Sequence, residues 1–227
     1  MNIGAIIPAA GQGKRMQKDI NKQYLKLGDR PLLAHTLDAF ADNNKIEQII
    51  VVVREDEIDY CQKNIINKYS FKNIKLVAGG ETRQQSVFAG LTAFSPATNY
   101  VIIHDGARPL VSKKLLTKVI KKLSKYKALT TAISVKDTIK IINKENFVKN
   151  TPERDRLRAI QTPQAFEYEL IYKAHKNYAG NSKATDDASL VEKMGHKVKV
   201  IKGENRNIKV TTPIDLVYAQ NILKENN

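Results

Sequence analysis

Cysteine is almost absent from this sequence: Cys61 stands alone among 227 residues. A lone thiol excludes an intrachain disulfide and a zinc site built on four cysteines. Also missing is any apolar run near the roughly 20 residues that a membrane-spanning helix needs. No charged region precedes an apolar one at the start, so the first residues read as a strand and not as a signal peptide. The histidines His35, His104, His175 and His196 are scattered, and no metal cluster or catalytic triad can be assembled from them. Acidic residues are scarce, 23 against 38 Lys and Arg, which leaves a formal charge of +15. Such a charge attracts nucleic acid or anionic substrates. Yet there is no basic stripe interleaved with aromatics, no RNP-like segment and no helix-turn-helix signature. Lys113, Lys114, Lys118, Lys121, Lys122 and Lys125 alternate with Leu115, Leu116, Val119, Ile120 and Leu123, the pattern of an amphipathic helix with a wet face. The expectation is a cytoplasmic protein that binds neither nucleic acid nor membrane, with a basic nucleic-acid-binding protein as the remote alternative.

What is present is a substantial apolar content, 42% of residues, spread along the chain. Short apolar runs at residues 3–7, 48–53, 74–78, 100–104 and 129–134 read as strands. Helical periodicity falls between them, at residues 31–42, 55–69, 82–94 and 112–125. Tyr100-Val101-Ile102-Ile103 is continuously apolar, as a strand covered on both faces should be. This alternation predicts a three-layer, Rossmann-like α/β domain with a mostly parallel sheet. Thr138–Ile142 and Phe147–Asn150 flank the turn-prone Asn143-Lys144-Glu145-Asn146 and read as an inserted hairpin, an arm over residues 138–154. A two-stranded hairpin is marginal alone, so the arm is expected to pack on something else, such as another subunit. Helices near residues 167–178 and 186–194, a strand near 198–202 and a last helix from Pro213 follow. There is no internal repeat, low-complexity tract or linker, so residues 1–227 are expected to form one domain.

The first strand runs into Pro8-Ala9-Ala10-Gly11-Gln12-Gly13-Lys14-Arg15-Met16. Glycines let a backbone approach a ligand closely, and successive N–H groups in such a turn cradle anions. One residue separates Gly11 from Gly13, where a P-loop has four between its glycines. Met16 stands where a dinucleotide fingerprint has its third glycine, which weakens a nicotinamide-dependent dehydrogenase. In open parallel sheets ligands bind beyond the carboxyl ends of the strands. The other strand exits carry Gly79-Gly80-Glu81-Thr82-Arg83, His104-Asp105-Gly106-Ala107-Arg108-Pro109 and Lys136-Asp137-Thr138. Glycine, hydroxyl, carboxylate and cation are thus expected at one sheet edge.

Asp105, following a buried strand, suits Mg²⁺, which leans on one or two carboxylates plus substrate phosphates. His104 is expected to have a structural partner. No general base stands out, and a phosphate monoester nucleophile needs none, because its second pKa is about 6. The barrier is then the meeting of like charges. Positioning and charge neutralisation lower it, and Arg15, Lys22 and Arg108 with a metal at Asp105 are suitable parts.

Pro8-Ala9-Ala10-Gly11-x-Gly13-x-Arg15-Met16 with Lys22-Gln23-Tyr24 resembles the signature of the sugar-phosphate nucleotidyltransferases. A narrower set joins it: Gly79-Gly80-x-x-Arg83-x-x-Ser86-Val87, His104–Pro109, Thr162-Pro163-Gln164, Thr185-Asp186-Asp187-Ala188-Ser189 and Asn207-Ile208-Lys209-Val210-Thr211. Together these resemble the 2-C-methyl-D-erythritol 4-phosphate cytidylyltransferase family, in family order, from residue 3 to about residue 217. The resemblance implies transfer of a cytidylyl group from CTP, in the non-mevalonate route to isoprenoid precursors. It implies that Arg15 and Lys22 stabilise the transition state, and that Ala9, Ala10, Gly11, Gly80, Glu81 and Ser86 line the cytidine pocket. Arg154 and Lys209 would position the sugar phosphate, with Thr138, Arg108 and Thr185 close by, and Asp105 would hold Mg²⁺. The arm would make a homodimer and carry Thr138 and Arg154 to the neighbouring subunit's site. The related ribitol 5-phosphate cytidylyltransferases share the loop, the Lys22-Gln23 pair and the Asn-Ile-Lys-Val segment. They typically begin with Ala-Gly-Gly and differ in the late Thr-Asp-Asp-Ala-Ser motif. Two positions depart from the family pattern: Gly106, where alanine is frequent, and Arg158, where an aromatic or aliphatic residue is common.

Overall fold

Seven strands make the central sheet of the computed structural model, which describes residues 1–11, 21–179 and 184–225. They are β1 (Ile3–Pro8), β2 (Ile46–Val53), β3 (Ile74–Ala78), β4 (Tyr100–Ile103), β5 (Ala128–Ser134), β6 (Arg158–Glu167) and β7 (Lys199–Lys202). Their order across the sheet is β7-β5-β6-β4-β1-β2-β3. Only β6 runs antiparallel to its neighbours. β1 lies between β2 and β4, with Ile6 opposite Ile50 on one side and Ile103 on the other. From β1 the chain builds outward to β2 and β3, then returns to the other side of β1 at β4. The crevice where the winding reverses opens at Pro8 and Ile103, the place where sheets of this kind bind ligands.

Both faces of the sheet are covered, which is why β1, β2 and β4 are apolar without alternation. One core layer packs α1 (Leu32–Ala41) and α3 (Lys113–Leu123) against Ile7, Val51 and Ile102. The other packs α2 (Arg83–Thr92), α4 (Tyr168–Asn177) and α5 (Asp187–Lys193) against Ile6, Ile50 and Ile103. On α3 the five apolar residues named above are buried and Ser112 caps the helix by accepting from the Leu115 N–H. Its lysines face water, so much of the positive charge is indeed an ordinary wet surface. α6 (Pro213–Lys224), capped by Thr212, closes a small third cluster with Leu27, Leu32 and Val210.

Two expectations are corrected. Residues 55–67 form a 3₁₀ turn, one α-turn and a π-helical stretch in succession, in place of one regular helix. The first break coincides with Glu57, whose carboxylate turns away to bond the segment around Lys22. The second correction is β6, a ten-residue strand in the middle of the sheet that the pattern did not predict. Proline donates no ladder hydrogen bond and is tolerated in sheets at bulges. Here the β6–β5 register slips between Gln161 and Gln164, around Pro163.

The predicted hairpin is present, with Ile141–Ile142 paired to Val148–Asn150. Asn146 takes the left-handed conformation at φ 66°, which asparagine tolerates better than most residues. The Asn143 side chain accepts from the N–H groups of Glu145 and Phe147 and so closes the turn. Arg158 acquires a local role: its guanidinium donates to the carbonyls of Asp155 and Leu157 and ties off the chain where the arm rejoins the sheet.

Candidate active site

Three of the strand exits converge as expected. A cavity of about 180 Å³ is lined by Pro8 at the end of β1 and Ala10 and Gly11 after it, by Lys22, by residues 80–83 and Ser86 after β3, by Asp105 and Ala107 after β4, and by Lys209. Close approach of these loops explains Gly79: a Cβ there would stand 2.8 Å from both Ala10 Cβ and Ser86 Oγ. A second cavity, about 430 Å³, continues from the first and shares Arg83, Asp105 and Lys209 with it. Arg108, Gln161, Thr162, Gln164 and Thr185 are also on its lining. The exit of β5 departs from the expectation: Lys136 opens on a different cleft, beside Arg156, Arg158 and Arg206.

At the junction of the two cavities sits Asp105. Its Oδ1 accepts from Arg83 Nε at 3.2 Å, and its Oδ2 lies 2.8 Å from Lys209 Nζ and 3.8 Å from Arg108 Nε. Burial alone would raise this carboxyl, but Arg83, Lys209 and Arg108 outweigh it and hold the group well below the usual carboxylate range. Asp105 is therefore ionised at any working pH. Its own N–H donates to Thr162 Oγ1 at 3.1 Å, so β6 fixes the loop from behind. Arg108 is also tethered, with Nη1 donating to the Asn207 carbonyl at 2.7 Å, and burial pushes its pKa down. Asn207 in turn donates to the Thr162 carbonyl. The Thr162-Pro163-Gln164 and Asn207–Thr211 segments thus frame one carboxylate surrounded by three cations.

Lys22 stands on a 3₁₀ turn, Lys22–Tyr24, whose Gln23 and Tyr24 are buried. Asn21, Gln23 and Tyr24 all donate to the Glu57 carboxylate, and Tyr24 meets Tyr60 edge-on at 4.9 Å. The turn is thereby stapled to residues 55–67. Neighbouring Cys61 is fully buried, and burial pushes its thiol up to about 12, so it is chemically quiet.

The remaining predicted positions divide clearly. Gly80, Glu81 and Ser86 line the first cavity, while Ala9 is buried behind it with its N–H on the Val52 carbonyl. Ser86 Oγ already donates to the Thr82 carbonyl at 3.0 Å. Thr138 and Arg154 line neither cavity; both are exposed at the base of the arm, and Arg154 donates to the Lys136 carbonyl. Arg15, with Gln12, Gly13, Lys14 and Met16, lies outside the described residues. Among the described residues no three His, Cys, Asp or Glu side chains gather in a way that could hold a metal ion. A single carboxylate of hard oxygens fits only a cation that arrives with its own phosphate ligands. Arg83 and Glu57 were given no role by the sequence; the one sequence signal was that Arg83 belongs to the Gly-Gly-x-x-Arg motif.

His104 has the structural partner expected of it, with Nε2 3.2 Å from the Arg108 carbonyl, and burial lowers its pKa to about 4. An unfolded histidine titrates near 6.5. As pH falls from about 6.5 towards 4, the unfolded chain gains a proton that the folded chain refuses, so stability is lost over that window, by about 3 kcal/mol at pH 4. His104→Asn is expected to flatten this slope, as read from denaturant unfolding at pH 7 and pH 4.5. An unchanged difference between the two pH values in the variant would remove His104 from the account.

Known proteins resemble this chain in both sequence and fold. The family model for IspD, 2-C-methyl-D-erythritol 4-phosphate cytidylyltransferase, matches residues 3–225. The enzyme of that name from Caldanaerobacter subterraneus subsp. tengcongensis is 46% identical, over 99% of this chain and 100% of its own length. That from Desulforamulus reducens is 47% identical, over 100% and 97%. Among solved structures, the 4-diphosphocytidyl-2C-methyl-D-erythritol synthase of Anaerococcus prevotii superposes with a TM-score of 0.88 at 44% identity, covering 98% of this chain and 96% of that one. The Thermus thermophilus cytidylyltransferase superposes at 0.80 with 30% identity, covering 99% and 100%. Matched by the family model over residues 3–225 and by relatives 46% and 47% identical along 99% and 100% of its length, the chain belongs to the 2-C-methyl-D-erythritol 4-phosphate cytidylyltransferase family.

Proposed function

We propose that this chain joins CTP and 2-C-methyl-D-erythritol 4-phosphate to give 4-diphosphocytidyl-2-C-methyl-D-erythritol and pyrophosphate, acting as one domain. The observation that carries the reading is the pair of cavities that meet at Arg83, Asp105 and Lys209. CTP occupies the first, its cytidine against Ala10, Gly11, Gly80, Glu81 and Ser86 with Ala9 behind, and the sugar phosphate occupies the second. A phosphate oxygen of the sugar phosphate attacks the α-phosphorus in line; the new P–O bond forms as the bond to pyrophosphate breaks, with no covalent enzyme intermediate. The attacking phosphate is mostly dianionic at neutral pH, so no base is required. Lys209 and Arg108 hold it, with Thr185 on the same lining. Lys22 and Arg15 balance the charge that builds on the α-phosphate and the leaving group. Asp105 would hold Mg²⁺, which would supply further neutralisation of phosphate charge. The lone buried thiol and the soluble substrates suit the cytoplasm.

Pyrophosphate release from CTP and Mg²⁺, with 2-C-methyl-D-erythritol 4-phosphate or ribitol 5-phosphate as acceptor, tests the reading. Release with the first alone is expected. Release with ribitol 5-phosphate alone would transfer the assignment to that family, and none with either would remove it.

The arm supports a homodimer. Phe147, Val148 and Ile142 are 72%, 60% and 52% exposed on a two-stranded ribbon that buries nothing of its own. On this reading a second copy covers these residues, and Thr138 and Arg154 serve the neighbouring subunit's site. Deletion of residues 139–150 is expected to halve the mass measured by light scattering and to remove most activity. A deletion variant that remains dimeric would refute this role.

A further inference from the structure

Arg83 is the first residue of α2, after the Thr82 cap. A cation is disfavoured there, because the helix dipole places partial positive charge at that end. Its position is explained by what it spans. Nη2 lies 2.6 Å from Asp187 Oδ2, and Nε lies 3.2 Å from Asp105 Oδ1. Asp187 is 1% exposed and takes no part in lining either cavity. Its other oxygen meets Nε2 of the buried His175 at 3.2 Å. Its N–H and that of Ala188 both donate to Gln164 Oε1, while Gln164 Nε2 donates to Thr130 Oγ1 and Asp186 Oδ2. Asp187 opens α5, the favourable end for an anion. Burial would raise its carboxyl, and Arg83 and His175 outweigh that and hold it down. A charged, immobile anchor therefore stands behind a cation that reaches into the cleft.

We propose that Arg83 is a positioning residue for the reaction: pinned by Asp187, it occupies Asp105 Oδ1 and turns Oδ2 towards Lys209 and the incoming ligands. The inference rests on the cytidylyl-transfer reading above. It assigns a task to the Gly-Gly-x-x-Arg and Thr-Asp-Asp-Ala-Ser motifs together: each supplies one end of the Arg83–Asp187 pair. A fork of N–H donors can serve two carboxylates at once, and an ammonium on a flexible stem cannot hold both in fixed geometry.

The test uses Arg83→Lys, Asp187→Asn and the double variant of the full chain, with kcat and KM for CTP measured beside wild type and folding checked by thermal melting. Arg83→Lys keeps the charge at a partly exposed position and is expected to fold, so it decides the matter even if Asp187→Asn does not. A misplacement of about 1 Å at a reacting centre can cost roughly 100-fold, and kcat is expected to fall about 10- to 100-fold in each single variant, with KM within about threefold. Residues that act as one unit are non-additive, so the double variant should be no slower than the slower single one. An unchanged kcat in Arg83→Lys, with or without a lowered melting temperature, would overturn the proposal, as would additive losses. A raised KM at constant kcat would make Arg83 a ligand-binding group and overturn it too. Failure of wild type to release pyrophosphate would sink the underlying reading instead, and is told apart by that control.

Discussion

Asp105→Asn is expected to lower pyrophosphate release by roughly 100- to 1,000-fold, the scale seen when one preorganised electrostatic group is removed. Two losses act together. The variant removes the anionic oxygen pair that, among the described residues, stands at the junction of the cavities, and with it the means of holding a phosphate-borne Mg²⁺. It also leaves Arg83, Lys209 and Arg108 without their shared counter-charge. Breaking a buried ion pair from one side costs several kcal/mol, but Arg83 keeps Asp187 as a counter-charge and Lys209, 37% exposed, can turn to water. A destabilisation of about 1–3 kcal/mol at pH 7 is therefore the expectation. The pH dependence has a definite sign. The folded Asp105 carboxyl is depressed below the unfolded value near 3.9. Its contribution is complete above that value and drains away as pH falls through the folded pKa. Wild type and variant should thus differ at neutral pH and converge in strong acid. Denaturant unfolding at pH 7 and pH 3 reads the convergence, and a difference that persists undiminished in acid would contradict it.

The sequence made the catalytic edge legible because its residues are short-range punctuation. Gly11, Gly79-Gly80 and Asp105 directly follow apolar strands, and strand exits in a parallel sheet share an edge by topology alone. The strands themselves were legible for a related reason, since burial on both faces erases alternation and leaves runs such as residues 100–103. β6 was not legible. Its central Thr-Pro-Gln carries a bulge, and its polar side chains are spent on hydrogen bonds to Asp105, Asn207, Thr130 and Asp186 instead of on an apolar face. Those bonds connect residues far apart in the chain, so no local pattern announces them. The same limit hid Glu57 and Arg83. An acid or a cation in a polar run reads as solvated surface until the partner, more than 30 residues from Glu57 and 104 from Arg83, is placed beside it. The arm lay between these extremes: its turn chemistry was local and visible, whereas what covers Phe147 and Val148 is a property of an assembly.

The second large effect concerns the cations of the opening loop. Lys22→Ala and Arg15→Ala are each expected to lower kcat about 100- to 1,000-fold while KM for CTP changes only a few-fold. The physical ground is clearest for Lys22. A flexible ammonium on a mobile loop would neutralise ground-state and transition-state charge alike and would only tighten binding. Lys22 instead starts a turn whose next two residues are buried, and whose Asn21, Gln23 and Tyr24 side chains all bond Glu57. Burial raises the Tyr24 hydroxyl far above its ordinary pKa, so it stays protonated and remains a donor to that carboxylate. With the backbone held, the ammonium need not reorganise as charge moves from the attacking phosphate to the departing pyrophosphate, and this gives it more work in the transition state than before it. Lys14, the cation beside Arg15 to which no catalytic role is assigned, serves as the control: Lys14→Ala should leave kcat within about twofold. Steady-state kinetics on the three variants separates the roles. Raised KM at near-normal kcat in Lys22→Ala would mean that the residue binds CTP without favouring the transition state, and equal losses in all three would mean that net loop charge matters and position does not.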